Sequence, residues 1–152
     1  MEVFSDSEGA ELVKRGCLLR FQPGETLIEM GTRERDFFVV LDGAFEVVVD
    51  LEDTTPICII TAGDVVGEMA YFLDHQERTA TVRALMPSQV VVVRQRVVDK
   101  WMNESPKLAA KLFHLTSSVL ARRLRFTTRQ YLLAHPHDEI PPEGRTPDKS
   151  LS

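Results

Sequence analysis

Gly67-Glu68-Met69-Ala70-Tyr71-Phe72-Leu73-Asp74-His75-Gln76-Glu77-Arg78 runs on into Thr79-Ala80-Thr81-Val82-Arg83-Ala84, and it decides the reading of this chain. The stretch puts a glycine, an acid and an arginine into one short excursion between two strand-like runs. Gly67 opens a tight turn into a short helix, whose first backbone N–H groups have no helical partner and favour an anion. Arg78 brings a planar fork of donors that grips two oxygens of one phosphate. Glu68 is an acceptor beside that anion site, which suits a sugar hydroxyl and not a second phosphate. The group these residues call for is a phosphate with a ribose hydroxyl nearby.

On either side the chain reads as many short strands. Apolar runs at residues 17–21, 36–41, 44–50, 57–61, 65–66, 79–84 and 89–94 alternate with turn signals. Asp42-Gly43 between two such runs is a hairpin signal. Strands at this spacing imply a sandwich or jelly roll. A helix is expected over residues 7–15, ending at Gly16 as its C′ residue. After Arg94 the period changes to that of helices. Residues 97–102 read as a short helix, and Glu104-Ser105-Pro106 opens a long one over about 105–133, with proline in its first turn. Leu108, Leu112, Leu115, Val119 and Phe126 form one stripe on it, and Ala109, Phe113, Leu120 and Leu124 another. Two apolar stripes call for two partners, the sheet and a second copy, unless they form one wide stripe buried in the chain's own domain; the first stripe has the spacing of a dimer seam. Residues 1–133 read as one domain and residues 134–152, rich in proline, as a disordered tail.

Apolar content of 43% and charged content of 27% are those of an ordinary soluble globular chain. No apolar run reaches the roughly 18 residues of a membrane span, and no signal-peptide core opens the chain, so a cytoplasmic location is expected. The net charge of −5 conceals six basic residues and no acid between positions 106 and 130. Such a helix suits nucleic acid, a membrane surface or an acidic partner, or balances an acidic body. Cys17 and Cys58 lie in separate apolar runs and read as buried thiols, and two cysteines cannot supply a four-ligand iron–sulfur cluster. None of His75, His114, His135 and His137 falls in an expected strand, where a metal-dependent jelly-roll enzyme needs them, and His135 and His137 read as solvated. No catalytic set and no resident cofactor are expected.

The cassette resembles the phosphate-binding cassette of the cyclic-nucleotide-binding domain family, which includes the catabolite gene activator and the regulatory subunits of cyclic-nucleotide-dependent kinases. The resemblance extends over residues 8–131 and includes Gln22-Pro23-Gly24-Glu25, Glu29-Met30-Gly31, Val39-Val40-Leu41-Asp42-Gly43 and Ala62-Gly63-Asp64. It implies a mainly β fold, an eight-stranded jelly-roll barrel with an N-terminal helix and a long C-terminal helix. It implies a cyclic nucleotide ligand, with Arg78 on the cyclic phosphate and Glu68 on the ribose 2′-hydroxyl. Backbone N–H groups of Gly67, Glu68, Met69 and Ala70 would complete the cradle, and Thr79 would lie next to phosphate and base. A threonine at this place bonds the guanine amino group in cyclic-GMP-selective relatives. In the catabolite activator the long helix supplies an arginine near the ribose-binding acid and two hydroxyls reaching adenine. Ala121-Arg122-Arg123-Leu124 followed by Thr127-Thr128 is similar, so Arg123, Thr127 and Thr128 join the expected site. That match needs four extra helix residues, and an ungapped register puts Arg123 and Leu124 in the hydroxyl positions instead. Four residues are about one turn, so both registers present the same face.

The resemblance therefore implies a cyclic mononucleotide sensor, for cyclic AMP before cyclic GMP. It would signal to an unidentified effector protein through its C-terminal helix and would form a homodimer there. Two other readings stand beside it: a docking module that has lost its ligand, and the sensory half of a DNA-binding regulator. The proline-rich residues after Ala134 are too few for a helix-turn-helix, so direct DNA binding is not expected, nor is membrane association.

Overall fold

Phe37-Phe38-Val39-Val40 and Val90-Val91-Val92-Val93 lack the apolar–polar alternation of a half-buried strand because both of their faces are covered. Phe38, Val40, Val90 and Val92 point into a core between two sheets. Phe37, Val39, Val91 and Val93 point the other way, into a core shared with helices. The structure, a computed structural model, describes residues 5–49, 52, 55–73 and 77–136.

Among these residues the chain forms eight strands and four helices. The strands are β1 (Cys17–Phe21), β2 (Thr26–Ile28), β3 (Phe37–Asp42), β4 (Ala44–Val48), β5 (Cys58–Thr61), β6 (Val65–Val66), β7 (Thr81–Ala84) and β8 (Ser88–Val93). The helices are α1 (Asp6–Arg15), α2 (Glu68–Phe72), α3 (Gln95–Glu104) and α4 (Pro106–Ala134). One sheet has the order β1-β8-β3-β6 and the other β2-β7-β4-β5, with every pairing antiparallel. The eight strands of the expected jelly roll are present as two four-stranded sheets. Phe45, Val47, Ile60, Val82 and Ala84 of the second sheet meet Phe38, Val40, Val90 and Val92 of the first. On the outer face of the first sheet lie Leu12 of α1, Val98 and Trp101 of α3, and Leu108, Ala109, Leu112, Leu115 and Val119 of α4.

The chain divides into two compact units, Met1–Val119 and Leu120–Ser152. Both sheets, α1 to α3 and the first half of α4 belong to the first unit. In the second unit α4 runs on from Leu120 to Ala134, so it includes the first residue of the tail expected over 134–152, and residues 137–152, His137 among them, lie outside the described residues.

Four expectations change. Asp42-Gly43 is not a hairpin turn, since β3 and β4 lie in different sheets and the dipeptide is the corner between them. Gly43 has φ +94°, and a Cβ there would stand 2.0 Å from Ser88 Oγ. Gly16 closes α1 in an extended conformation (φ −81°, ψ −172°), not a left-handed one. It is required because a Cβ would lie 2.3 Å from Val91 Cγ1. The thiols are not both buried: Cys17 heads the edge strand β1 and is exposed, Cys58 is half-buried, and no disulfide joins them. The stripe Leu108, Leu112, Leu115 and Val119 is buried in the chain's own core and so cannot be a dimer seam. Its expected last member, Phe126, is 59% exposed in the second unit.

Candidate functional site

The cassette bridges the two sheets. At its start β6 pairs with β3 (Phe38↔Val66, Val39↔Val65) in the first sheet. At its end β7 is held between β2 and β4 in the second. Gly67 turns the chain out of β6 with φ +86°, a conformation that costs other residues a clash with their own backbone. A Cβ on it would also lie 2.9 Å from Arg78 Nη1 and 3.1 Å from the Asp36 carbonyl. Glycine is required twice over, by conformation and by space. The five residues of α2 follow, with Glu68 and Ala70 buried and Met69 exposed. Asp74, His75 and Gln76 lie outside the described residues.

Glu68 and Arg78 are each only 5% exposed, and both belong to types that are mostly found at the surface. The Arg78 fork donates from Nη1 to the Gly67 carbonyl (2.9 Å) and from Nη2 to the Asp36 carbonyl (2.5 Å). Its Nε–H is buried with no hydrogen-bond partner. Burial pushes the Arg78 pKa down from its ordinary value, and the nearby carboxylates of Glu34, Asp36 and Glu68 oppose that shift. A desolvated guanidinium with an unmatched donor attracts an anion more strongly than one in water does, because the low local dielectric strengthens the pair. Thr79 follows Arg78 and is exposed, just before β7.

Residues 31–36 line the cassette. The Gly31 N–H donates to the Arg78 carbonyl (2.9 Å), and the Arg78 N–H donates to the Thr32 carbonyl (2.7 Å). Arg33 pairs with Glu77 at 3.2 Å, and the Met30 N–H donates to Thr81 Oγ1 at 3.2 Å. The half-buried guanidinium of Arg35 donates to the carbonyls of Ala70 and Tyr71 in α2. Beyond Gly31, nothing in the sequence marks this loop. Thr32, Asp36 and Gly67 act through their carbonyls, which every residue has.

Gly67, Glu68, Met69, Ala70, Arg78 and Thr79 are thus brought together in the first unit. Arg123, Thr127 and Thr128 lie on α4 in the second, Thr127 exposed and the other two half-buried. Among the described residues no cluster of His, Cys, Asp or Glu could hold a metal ion, and no helix is long and apolar enough to cross a membrane.

A sequence profile of the cyclic nucleotide-binding domain matches residues 18–105, which include every strand but the first residue of β1 and the whole cassette. The chain belongs to the cyclic nucleotide-binding domain family. It is 31% identical over 122 residues to the Pycsar effector protein BcPycTIR of Burkholderia cepacia, covering 75% of this chain and 39% of that one. It is 26% identical over 117 residues to the cAMP-activated global transcriptional regulator CRP of Salmonella typhimurium, covering 75% and 54%. The chain therefore spans about half or less of the length of these curated relatives. A crystal structure of a cyclic nucleotide-binding domain from Methylobacillus flagellatus has the same fold, with a TM-score of 0.77 at 22% identity over 90% of this chain and 78% of that one.

Proposed function

We propose that this domain is a sensor of a cyclic mononucleotide, cyclic AMP before cyclic GMP. The observation that carries the reading is the buried Arg78 with its unpartnered Nε, beside buried Glu68 at the Gly67 turn. A docking module without a ligand has no use for a buried cation whose donors are incompletely matched. Arg78 takes the cyclic phosphate, Glu68 the ribose 2′-hydroxyl, and the backbone N–H groups of residues 67–70 complete the cradle. Arg123, Thr127 and Thr128 reach the ligand from α4, and Thr79 contacts phosphate or base. The preference for cyclic AMP draws on the two hydroxyls of α4 and on the cAMP-activated CRP among the relatives. Occupancy is passed to an effector through α4, in a soluble, cytoplasmic homodimer with no enzymatic activity of its own.

A second reading has the same domain as the input module of a larger regulator, in keeping with relatives of which it spans 39% and 54%. Calorimetric titration with cyclic AMP and cyclic GMP side by side tests the common core of both. Wild-type protein is expected to bind one of them at micromolar concentration or below. Arg78→Ala, still folded by circular dichroism, should bind roughly tenfold to a hundredfold more weakly, the loss of a charge-assisted pair of hydrogen bonds. No binding of either nucleotide by the wild type, or equal binding by Arg78→Ala, would remove the reading.

A further inference from the structure

Arg35 has no place in the ligand chemistry above, yet its neighbour Asp36 holds the Arg78 fork. Its own guanidinium donates from Nε to the Ala70 carbonyl (3.3 Å) and from Nη2 to the Tyr71 carbonyl (3.1 Å). Those carbonyls lie in the last turn of α2, where helix carbonyls lack partners within the helix and a cation is favoured. At five residues α2 is far below the length at which a helix holds itself together, so its position is set from outside. On one side the Tyr71 ring meets Phe37 edge-on at 5.1 Å. On the other, Arg35 grips the backbone.

Two consecutive residues thus fix the two arms of the cradle: Asp36 the arm ending in Arg78, and Arg35 the arm that begins at Gly67 and carries Glu68. We infer that Arg35 is a positioning residue of the nucleotide site, holding α2 in the place that sets Glu68 against Arg78. The inference rests on the functional reading above. Without Arg35 the carbonyl end of α2 loses its fork, and Glu68 moves independently of Arg78. Because the effect falls on the cradle and not on the base, both cyclic nucleotides lose affinity alike.

The experiment compares the wild-type chain, Arg35→Gln and Arg35→Lys in two measurements. In titrations with cyclic AMP and cyclic GMP, Arg35→Gln should weaken binding of whichever nucleotides the wild type binds by about tenfold. In amide exchange of the ligand-free proteins, Arg35→Gln should speed exchange in Glu68–Phe72 and leave Ser88–Val93 of β8 unchanged. Arg35→Lys keeps the charge but not the planar fork, and should fall between wild type and Arg35→Gln in both. Full rescue of affinity by lysine, with exchange in α2 unaltered in Arg35→Gln, would mean the charge acts only through its field and would overturn the inference. Faster exchange in β8 as well as α2 would make the role one of general stability and overturn it too. A wild type that binds neither nucleotide would remove the functional reading and with it Arg35's role toward a ligand. The exchange result separates that failure from the other, since α2 would still loosen in Arg35→Gln.

Discussion

Gly67 is the residue on which the cradle turns, and its two requirements have different consequences. A left-handed alanine costs about 1–2 kcal/mol wherever it stands. The added Cβ, 2.9 Å from Arg78 Nη1 and 3.1 Å from the Asp36 carbonyl, strains the very bonds that aim the arginine. Gly67→Ala is therefore expected to lower stability by about 1–3 kcal/mol in denaturant unfolding and to weaken nucleotide binding more than the stability loss alone would. A variant that loses stability but keeps wild-type affinity would mean that Arg78 needs no fixed setting. Thr79 bears on the base. Thr79→Ala should reduce cyclic GMP binding more than cyclic AMP binding in parallel titrations, and equal losses would confine its contact to the phosphate. At this scale the Gly67 turn and the pairing of Glu68 with Arg78 in one cassette were legible because they follow from side chains or from the missing one. Thr32, Asp36 and the Gly67 carbonyl were not, since the work is done by backbone oxygens. Arg35 was not because a charged loop residue binding helix carbonyls and one bathed in water have the same sequence.

Periodicity locates an element where it has one structural meaning and misleads where it has two. The long helix was expected over 105–133 and is Pro106–Ala134, with the Ser105 carbonyl accepting from the N–H groups of Leu108 and Ala109. The Asp42-Gly43 corner was read as a hairpin because a positive-φ glycine serves either, and only the pairing of β3 with β8 and of β4 with β7 separates them. The α1 helix shows a link that composition could not. Ser5 and Glu8 form a capping box, and Glu8 also pairs with Lys111 of α4, clasping the first helix to the last. The Lys111 hydrogen bond, followed by that from the Ser5 N–H, holds the Glu8 carboxyl down to about 2 from 4.5. A depressed carboxylate stabilises the fold above its unfolded pKa and ceases to do so as pH falls through its folded one. Glu8→Gln should therefore melt below the wild type at neutral pH, and the gap should close as the pH falls from about 4.5 to about 2. A gap that persists unchanged at the acid end would show that the clasp acts through packing and not charge.

For the molecule as a whole, the remaining question is what covers α4 beyond Val119. The first stripe is committed to the chain's own core, with Val119 only 1% exposed. In the second unit Leu124 is 56% exposed, and Leu120, Leu124, Thr127 and Tyr131 recur at intervals of four, three and four, the spacing at which two helices bury a common seam. Arg122, Arg125 and Arg129, three and four apart, form a separate stripe, while Arg123, four residues before Thr127, flanks the seam. A homodimer is therefore expected through residues 120–131 and not through the stripe that the sequence first suggested. Leu124→Asp should give a folded monomer, because the charge enters only the seam. Val119→Asp should instead unfold the first unit, because the charge enters a filled core. Sedimentation velocity over a hundredfold range of concentration, alongside circular dichroism, separates the two outcomes. Because Thr127 belongs to both the seam and the expected ligand contacts, association should also tighten when nucleotide is added, by the same factor that dimerisation tightens nucleotide binding. A wild type that stays monomeric with and without nucleotide would assign the exposed face of α4 to a different protein, and nucleotide occupancy would then have to be read by that partner.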